Sequence, residues 1–167
     1  APSTRRWPRF GEDSAMKLEN RCLVPATVDV TWARLLDIPQ AASCIPGVQE
    51  VTPDGEDRFK AAMQVRVGPM RFDFSGTILL VDQDAEKKEA RFRVEAGDRK
   101  IGGSLRADLE MRLAPQADGR TEVLILSDTL FMGKIGELGQ PIIRRKASST
   151  IEDFARNLSK QLEDASR

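Results

Sequence analysis

IGGSLRADLEMRL, residues 101–113, is the stretch on which the fold turns. Ile101, Gly103, Leu105, Ala107, Leu109, Met111 and Leu113 alternate with Ser104, Arg106, Asp108, Glu110 and Arg112, so one face of a strand is apolar and the other charged. Runs of about ten to fourteen residues span roughly 33–46 Å, well beyond an ordinary strand. Strands of that length twist and curl, and their apolar face needs a long partner to cover it.

The same period holds on both sides. RFKAAMQVRV, residues 58–67, puts Phe59, Ala61, Met63, Val65 and Val67 on one face, and Gly68-Pro69 turns the chain into MRFDFSGTILL, residues 70–80. There Met70, Phe72, Phe74, Gly76, Ile78 and Leu80 share a face. DQDAEKKE makes a charged turn, ARFRVEA the next strand, GDRK another turn, and APQADGR leads into TEVLILSDTLF, residues 121–131. In that last strand two sets compete for the inner face, and the set chosen is Val123, Ile125, Ser127, Thr129 and Phe131.

Toward the N-terminus, Leu18, Asn20, Cys22 and Val24 alternate in a first strand ended by Pro25. ATVDVTWARLLDI then sets Val28, Trp32, Leu35 and Leu36 on one helical face, with Thr27 as N-cap and Asp29 in the first turn. A second helical turn is expected over QAASC, residues 40–44, stopped by Pro46 and Gly47. Toward the C-terminus the period becomes helical: Ile142, Ile143, Ala147, Ile151, Phe154, Leu158 and Leu162 form one stripe, and Pro141 fits the first turn. This order predicts an α+β helix-grip fold. A curved antiparallel sheet wraps a long C-terminal helix, with two short helices after the first strand.

Composition bounds the rest. A chain of 167 residues suits one domain, expected over residues 16–165, with residues 1–15 (APSTRRWPRFGEDSA) as a tail. The 26 basic and 26 acidic residues cancel, which argues against nucleic acid as a partner. Neither a membrane-spanning run nor a secretory h-region is visible, so a cytoplasmic location is expected. The chain has no histidine and no tyrosine, which removes His-based triads, HExxH zinc sites and imidazole or phenol acids. Two cysteines without CxxC spacing are expected as reduced thiols.

On the expected inner faces, bulky residues are interrupted by Ala61, Gly76, Ala90, Ala96, Gly103, Ala107, Ser127 and Thr129. Two readings stay open. Either sheet and helix enclose an apolar cavity walled by Met63, Phe72, Phe74, Phe92, Leu105, Ile125 and Phe131, or the small residues mark bulges and close backbone approaches. Cys22, inward on the first strand, and Trp32, on the first helix, complete the candidate ligand-binding set.

Four motifs in order, LVPATVDVTWARLLD, CIPGVQEV, VRVGPMRFDFSG and MGKIGELG, resemble the carbon monoxide dehydrogenase G-subunit family, a branch of the START-like (SRPBCC) superfamily. The likeness runs from Met16 to about Leu162. It places Cys44, Ile45, Pro46 and Gly47 at the family's helix-to-strand corner, Gly68 and Pro69 at its hairpin, and Phe74 and Gly76 on the strand after it. Gly133, Lys134, Leu138 and Gly139 match the approach to its last helix, and Trp32 a helix position that packs toward the sheet. The resemblance implies a START-like fold with an apolar cavity and a quinone as the bound ligand. It also implies an accessory role in recruiting or maturing a molybdenum hydroxylase at the membrane. Two departures stand out: EAGDRKIGGSLRADLEM carries charge where members commonly have small residues, and this sequence stops at Arg167 where many members extend toward the membrane. Peripheral membrane contact would then run through the basic N-terminal tail, the start of the last helix or a partner.

No residue type in the chain spells out a reaction. Cys44 lacks a histidine base and reads as a buried small residue, as does Cys22. Asp108 and Glu110 alternate with Arg106 and Arg112 in what reads as a cross-strand charge ladder, and Asp128 with Lys134 as a surface pair. Gly133-Lys134-x-Gly136 lacks phosphate-loop spacing, and Arg144, Arg145 and Lys146 read as a solvated helix face. The expectation is a non-catalytic protein that binds a hydrophobic small molecule, with no catalytic residues and no metal. The alternative is a START-like cyclase or hydrolase, which would need at least two ionisable side chains pointing inward.

Overall fold

The computed structural model describes residues 15–165; of the tail expected over residues 1–15, residues 1–14 lie outside them and residue 15 instead opens the first strand. The first strand, β1, spans Ala15–Val24 and is followed by two helices, α1 over Val28–Leu36 and α2 over Ile38–Ala42. A meander of six strands comes next: β2 Val48–Pro53, β3 Arg58–Val67, β4 Met70–Asp84, β5 Glu89–Asp98, β6 Gly103–Pro115 and β7 Thr121–Gly133. A short 3-10 turn, Gly136–Leu138, leads into α3, Gln140–Ala165.

All seven strands form one antiparallel sheet in the order β1-β7-β6-β5-β4-β3-β2. The chain's first strand thus pairs with its last, and α1 and α2 carry the backbone between the two edges. Thr27 caps α1 by accepting the Val30 amide hydrogen at 3.3 Å. The second helix begins earlier than QAASC suggested. Pro39 sits in its first turn, where a missing N–H leaves no helical bond unmade.

Gly47, at the corner before β2, has φ +88, and a Cβ there would lie 2.0 Å from the Gln64 carbonyl oxygen. Its own carbonyl accepts from the Gln64 amide at 2.9 Å, so the corner is clamped onto β3 backbone to backbone. Gly76 is equally constrained, since a Cβ would meet the Glu95 carbonyl oxygen at 1.8 Å. Gly103 has Phe72 packed against it, 3.1 Å from where a Cβ would stand. At both Gly76 and Gly103 the close-approach reading holds, and neither glycine marks open space.

The α3 helix has 26 residues, roughly 39 Å at 1.5 Å per residue. Pro141 falls in its first turn as expected, and Ile143, Leu158 and Leu162 are buried. On β7, Val123 is fully buried and Ile125 packs in the same cluster as Leu158, which confirms the inner face chosen for that strand. On the outer face Arg93 meets Asp108 at 2.9 Å, Arg91 meets Glu110 at 3.5 Å and Arg106 meets Glu95 at 3.3 Å, the expected charge ladder. Lys134 pairs with Glu137 at 3.5 Å rather than with Asp128, because the 3-10 turn brings Glu137 back over it.

Leu158 has no exposed surface, and its removal leaves a hole that neighbours on a rigid helix and sheet cannot close. Leu158→Ala should lower the unfolding free energy by about 2–5 kcal/mol, whereas Leu79→Ala on the open outer face should stay within about 0.5 kcal/mol. Urea titration followed by circular dichroism measures both.

Candidate functional site

The interior is two cores rather than one. The larger holds Trp32, Ala90, Phe92, Met111, Val123, Leu158 and Leu162 among others, with Cys22, Phe59, Ile78, Leu109, Ile125 and Phe154 packed against it. The smaller is built on Val67, Phe72, Phe74 and Ile135, with Val65, Ala96, Leu105, Phe131, Leu138 and Ile142 around it. Phe72 and Phe74 stack with ring centroids 5.5 Å apart.

A midsection separates them at the same level on every element. On β3, Ala61 and Met63 stand between Phe59 of the larger core and Val65 of the smaller. Gly76 stands between Ile78 and Phe74 on β4, Val94 between Phe92 and Ala96 on β5, and Ala107 between Leu109 and Leu105 on β6. On β7 the intervening inward residues are Ser127 and Thr129, and on α3 the stretch from Ile143 to Asp153 parts Ile142 from Phe154. The midsection is therefore floored mainly by small and hydroxyl side chains, and Ala61, Met63, Val94, Ser127, Ala147 and Ile151 are only half-buried.

The nine candidate residues divide along this line. Cys22, Trp32, Phe92 and Ile125 belong to the larger core; Phe72, Phe74, Leu105 and Phe131 to the smaller; Met63 belongs to neither and lies in the midsection. They flank one level of the interior from both ends rather than forming a single continuous wall. Trp32 is held on its outer side by Lys88, whose Nζ is 5.8 Å from the ring centroid.

Ionisable groups are scarce on the inward alternation. Cys22 is half-buried, and burial, reinforced by the nearby Glu122 charge, pushes its thiol above the usual range, which keeps it neutral at pH 7. Asp98, at the end of β5, is the residue that sequence reading assigned only to a turn. It is buried, and its carboxylate accepts backbone amides from Asp73 at 2.6 Å, Lys100 at 2.8 Å and Ile101 at 2.9 Å. Those bonds, led by the Ile101 amide, hold its carboxyl below the ordinary aspartate range. The signal was present in GDRK, since an Asp side chain commonly bonds backbone two and three residues on. The most buried ion pairs, Arg93–Asp108 and Arg91–Glu110, lie on the outer face.

Cys44 at the corner is fully buried, and burial raises its pKa against smaller opposing effects of Ser43 and Arg34. Its carbonyl accepts from Asn157 Nδ2 at 2.8 Å, so the corner is tied to α3. Among the described residues no group of His, Cys, Asp and Glu is arranged to hold a metal, and no helix is long and apolar enough to cross a membrane. An open pocket of about 800 Å³ lies elsewhere, by the β5–β6 turn, lined by Ser75, Gly97, Arg99, Lys100 and Ser104. It lies at that end of the sheet and draws on residues of both alternations, Ser75 and Ser104 from the outer one and Asp98 and Gly103 from the inner.

Residues 22–163 match the family described as CoxG, the carbon monoxide dehydrogenase G subunit, which covers most of the chain. The protein belongs to that family. Among curated protein sequences none matches this chain. Among solved structures, a conserved protein from Geobacillus kaustophilus superposes with a TM-score of 0.82 at 21% identity, covering 90% of this chain and 97% of the other. A START superfamily protein from Mycobacterium smegmatis gives 0.69 at 10% identity, covering 89% and 98%. The Zhui aromatase/cyclase from Streptomyces sp. R1128 gives 0.66 at 16% identity, covering 92% and 96%. These likenesses establish a START-like fold for this member of the CoxG family.

Because the Asp98 pKa is depressed in the folded state, its contribution to stability is present in full above the unfolded value near pH ~4 and is lost as pH falls through the folded value below it. Asp98→Asn should therefore be less stable than the parent at pH 7, with the gap closing toward pH ~3 in urea melts at each pH. Cys44 in the native protein should react with iodoacetamide far more slowly than free cysteine, and at the free rate in urea, read by peptide mass mapping.

Proposed function

We propose that the protein is a non-catalytic accessory protein that carries a neutral, mainly apolar ligand, a quinone, between its sheet and α3. On this reading it assists the recruitment or maturation of a molybdenum hydroxylase. The observation that carries the reading is the chemistry of the midsection. Between two packed cores the inward residues of the strands are mostly small or hydroxylic, several of them only half-buried, and no charged group stands on the inward alternation of β3, β4, β5, β6 or β7 at that level. A site of that kind binds by shape and burial, with a few polar atoms to orient its guest.

The fold is shared with the Zhui aromatase/cyclase, so an enzyme of cyclase or hydrolase type is the competing reading. Acid–base chemistry needs a positioned proton donor and acceptor within hydrogen-bond reach of the substrate. Here Cys22 is neutral and Asp98 is saturated by three backbone amides at the end of its strand, so neither is poised to move a proton. Family membership supports the accessory role and the link to a molybdenum enzyme. Contact with the cytoplasmic side of a membrane would be peripheral, at the surface from which a quinone is drawn.

Organic extraction of the purified protein followed by mass spectrometry should yield a quinone at close to one per chain. A clean extract from protein that also fails to take up added quinone would overturn the carrier reading.

A further inference from the structure

We propose that Asn20, Ser127 and Thr129 form a hydrogen-bonding seat for one end of the ligand. The guest is then a neutral molecule with a carbonyl or hydroxyl at that end and an apolar body lying toward Met63 and Val94. The inference rests on the carrier reading and adds what the pocket recognises.

The three residues share the inward alternation of β1 and β7. Asn20 stands between Leu18 and Cys22 on that face, and Ser127 and Thr129 stand between Ile125 and Phe131. The register pairs Asn20 with Ile125, Leu18 with Ser127 and Met16 with Thr129. Asn20 and Ser127 are thus diagonal neighbours, about 7 Å apart between backbones, and Ser127 and Thr129 are about 7 Å apart along one strand. That spacing suits a single small polar group bridged from two sides.

None of the three side chains has a hydrogen-bond partner among the described residues, and Thr129 is only 6% exposed. The buried polar side chains of Thr121 and Asp98 are matched: Thr121 Oγ1 donates to the Ala26 carbonyl at 2.7 Å, and Asp98 takes three amides. None of the three polar ends is fully enclosed, so each keeps accessible surface that a guest's polar group can cover. Enclosed oxygens without a partner occur at Thr31, Asp73, Asp128 and Gln161, but Thr31 and Gln161 belong to α1 and the C-terminal part of α3, and Asp73 and Asp128 are on the outward alternation of β4 and β7. Ser127 and Thr129 belong to the midsection and Asn20 adjoins it, and the residue opposite Thr129 on β6 is the small Ala107.

Chemically the seat offers an amide and two hydroxyls, able to donate to a carbonyl or to accept from a hydroxyl. It offers no charge, and neither do Ala147 and Ile151 on the half-buried side of α3 or Cys22 beside Asn20. A carboxylate or ammonium would lose its hydration there without an opposite charge to replace it, so ionised ligands are rejected.

The probes are 2,3-dimethyl-1,4-naphthoquinone, whose methyl groups block thiol addition, and 2,3-dimethylnaphthalene, which has the same rings without oxygens. Binding is followed by equilibrium dialysis against the full chain. The parent should prefer the quinone, and Ser127→Ala/Thr129→Val should weaken quinone binding by about tenfold or more while hydrocarbon affinity changes by less than about twofold. Thr129→Ser, which keeps the hydroxyl, should restore most of the preference in the Ser127-containing background, and Asn20→Leu supplies an independent loss. Equal affinity of the parent for both probes, or an equal loss for both in the variants, overturns the seat and leaves the carrier reading standing. A parent that binds neither probe overturns the carrier reading itself.

Discussion

Everything inside this protein depends on strand parity. Each of the long strands presents alternate residues to α3, and a slip of one position would send its entire apolar set to the solvent face. The pairing of β1 with β7 is the most consequential instance, because it joins the beginning of the chain to its end. Ten consecutive partners, from Ala15 with Leu130 to Val24 with Thr121, hold that register without a bulge. Bulges do occur elsewhere, between Leu80 and Asp82 on β4 and between Val48 and Glu50 on β2. Both are toward the far half of the sheet, so they bend it without disturbing the faces that meet near Asn20.

Given that parity, packing takes over. The corner at Gly47 is locked to Gln64 by backbone contact and to α3 through Cys44 and Asn157. The larger core therefore connects α1, α2, strands of the sheet and the C-terminal half of α3. The smaller core is closed by the β3–β4 hairpin, Ile135 and the first turns of α3. The two cores therefore fix α3 to the sheet at both of its ends.

Much of the fold was legible because its signals are local and repetitive. Alternation over residues 101–113 and the helical stripe from Ile142 to Leu162 each settled an element, and the N-cap at Thr27 and the turn at Gly68-Pro69 settled boundaries. The interior was less legible. Gly76 looks in sequence like missing bulk, yet it is a place where two backbones nearly touch, and spacing along one strand carries no information about the approach of the next. The division of Phe72, Phe74, Leu105 and Phe131 from Cys22, Trp32, Phe92 and Ile125 is likewise a property of height along the grip. Only the cross-strand register assigns that height. Asp98 was hidden for a different reason: its partners are backbone amides, one of them on β4, which no side-chain pattern reveals.

The same sheet that opens inward is guarded at its rims. An unpaired strand edge invites other chains to add to it, and here both edges are blunted. The outermost carbonyl of Lys17 on β1 accepts from Arg144 Nη1 at 3.1 Å, while β2 on the far side is six residues long, irregular in register and ends in Pro53. A protein built on one long open sheet is thereby denied the usual route to fibrous self-association.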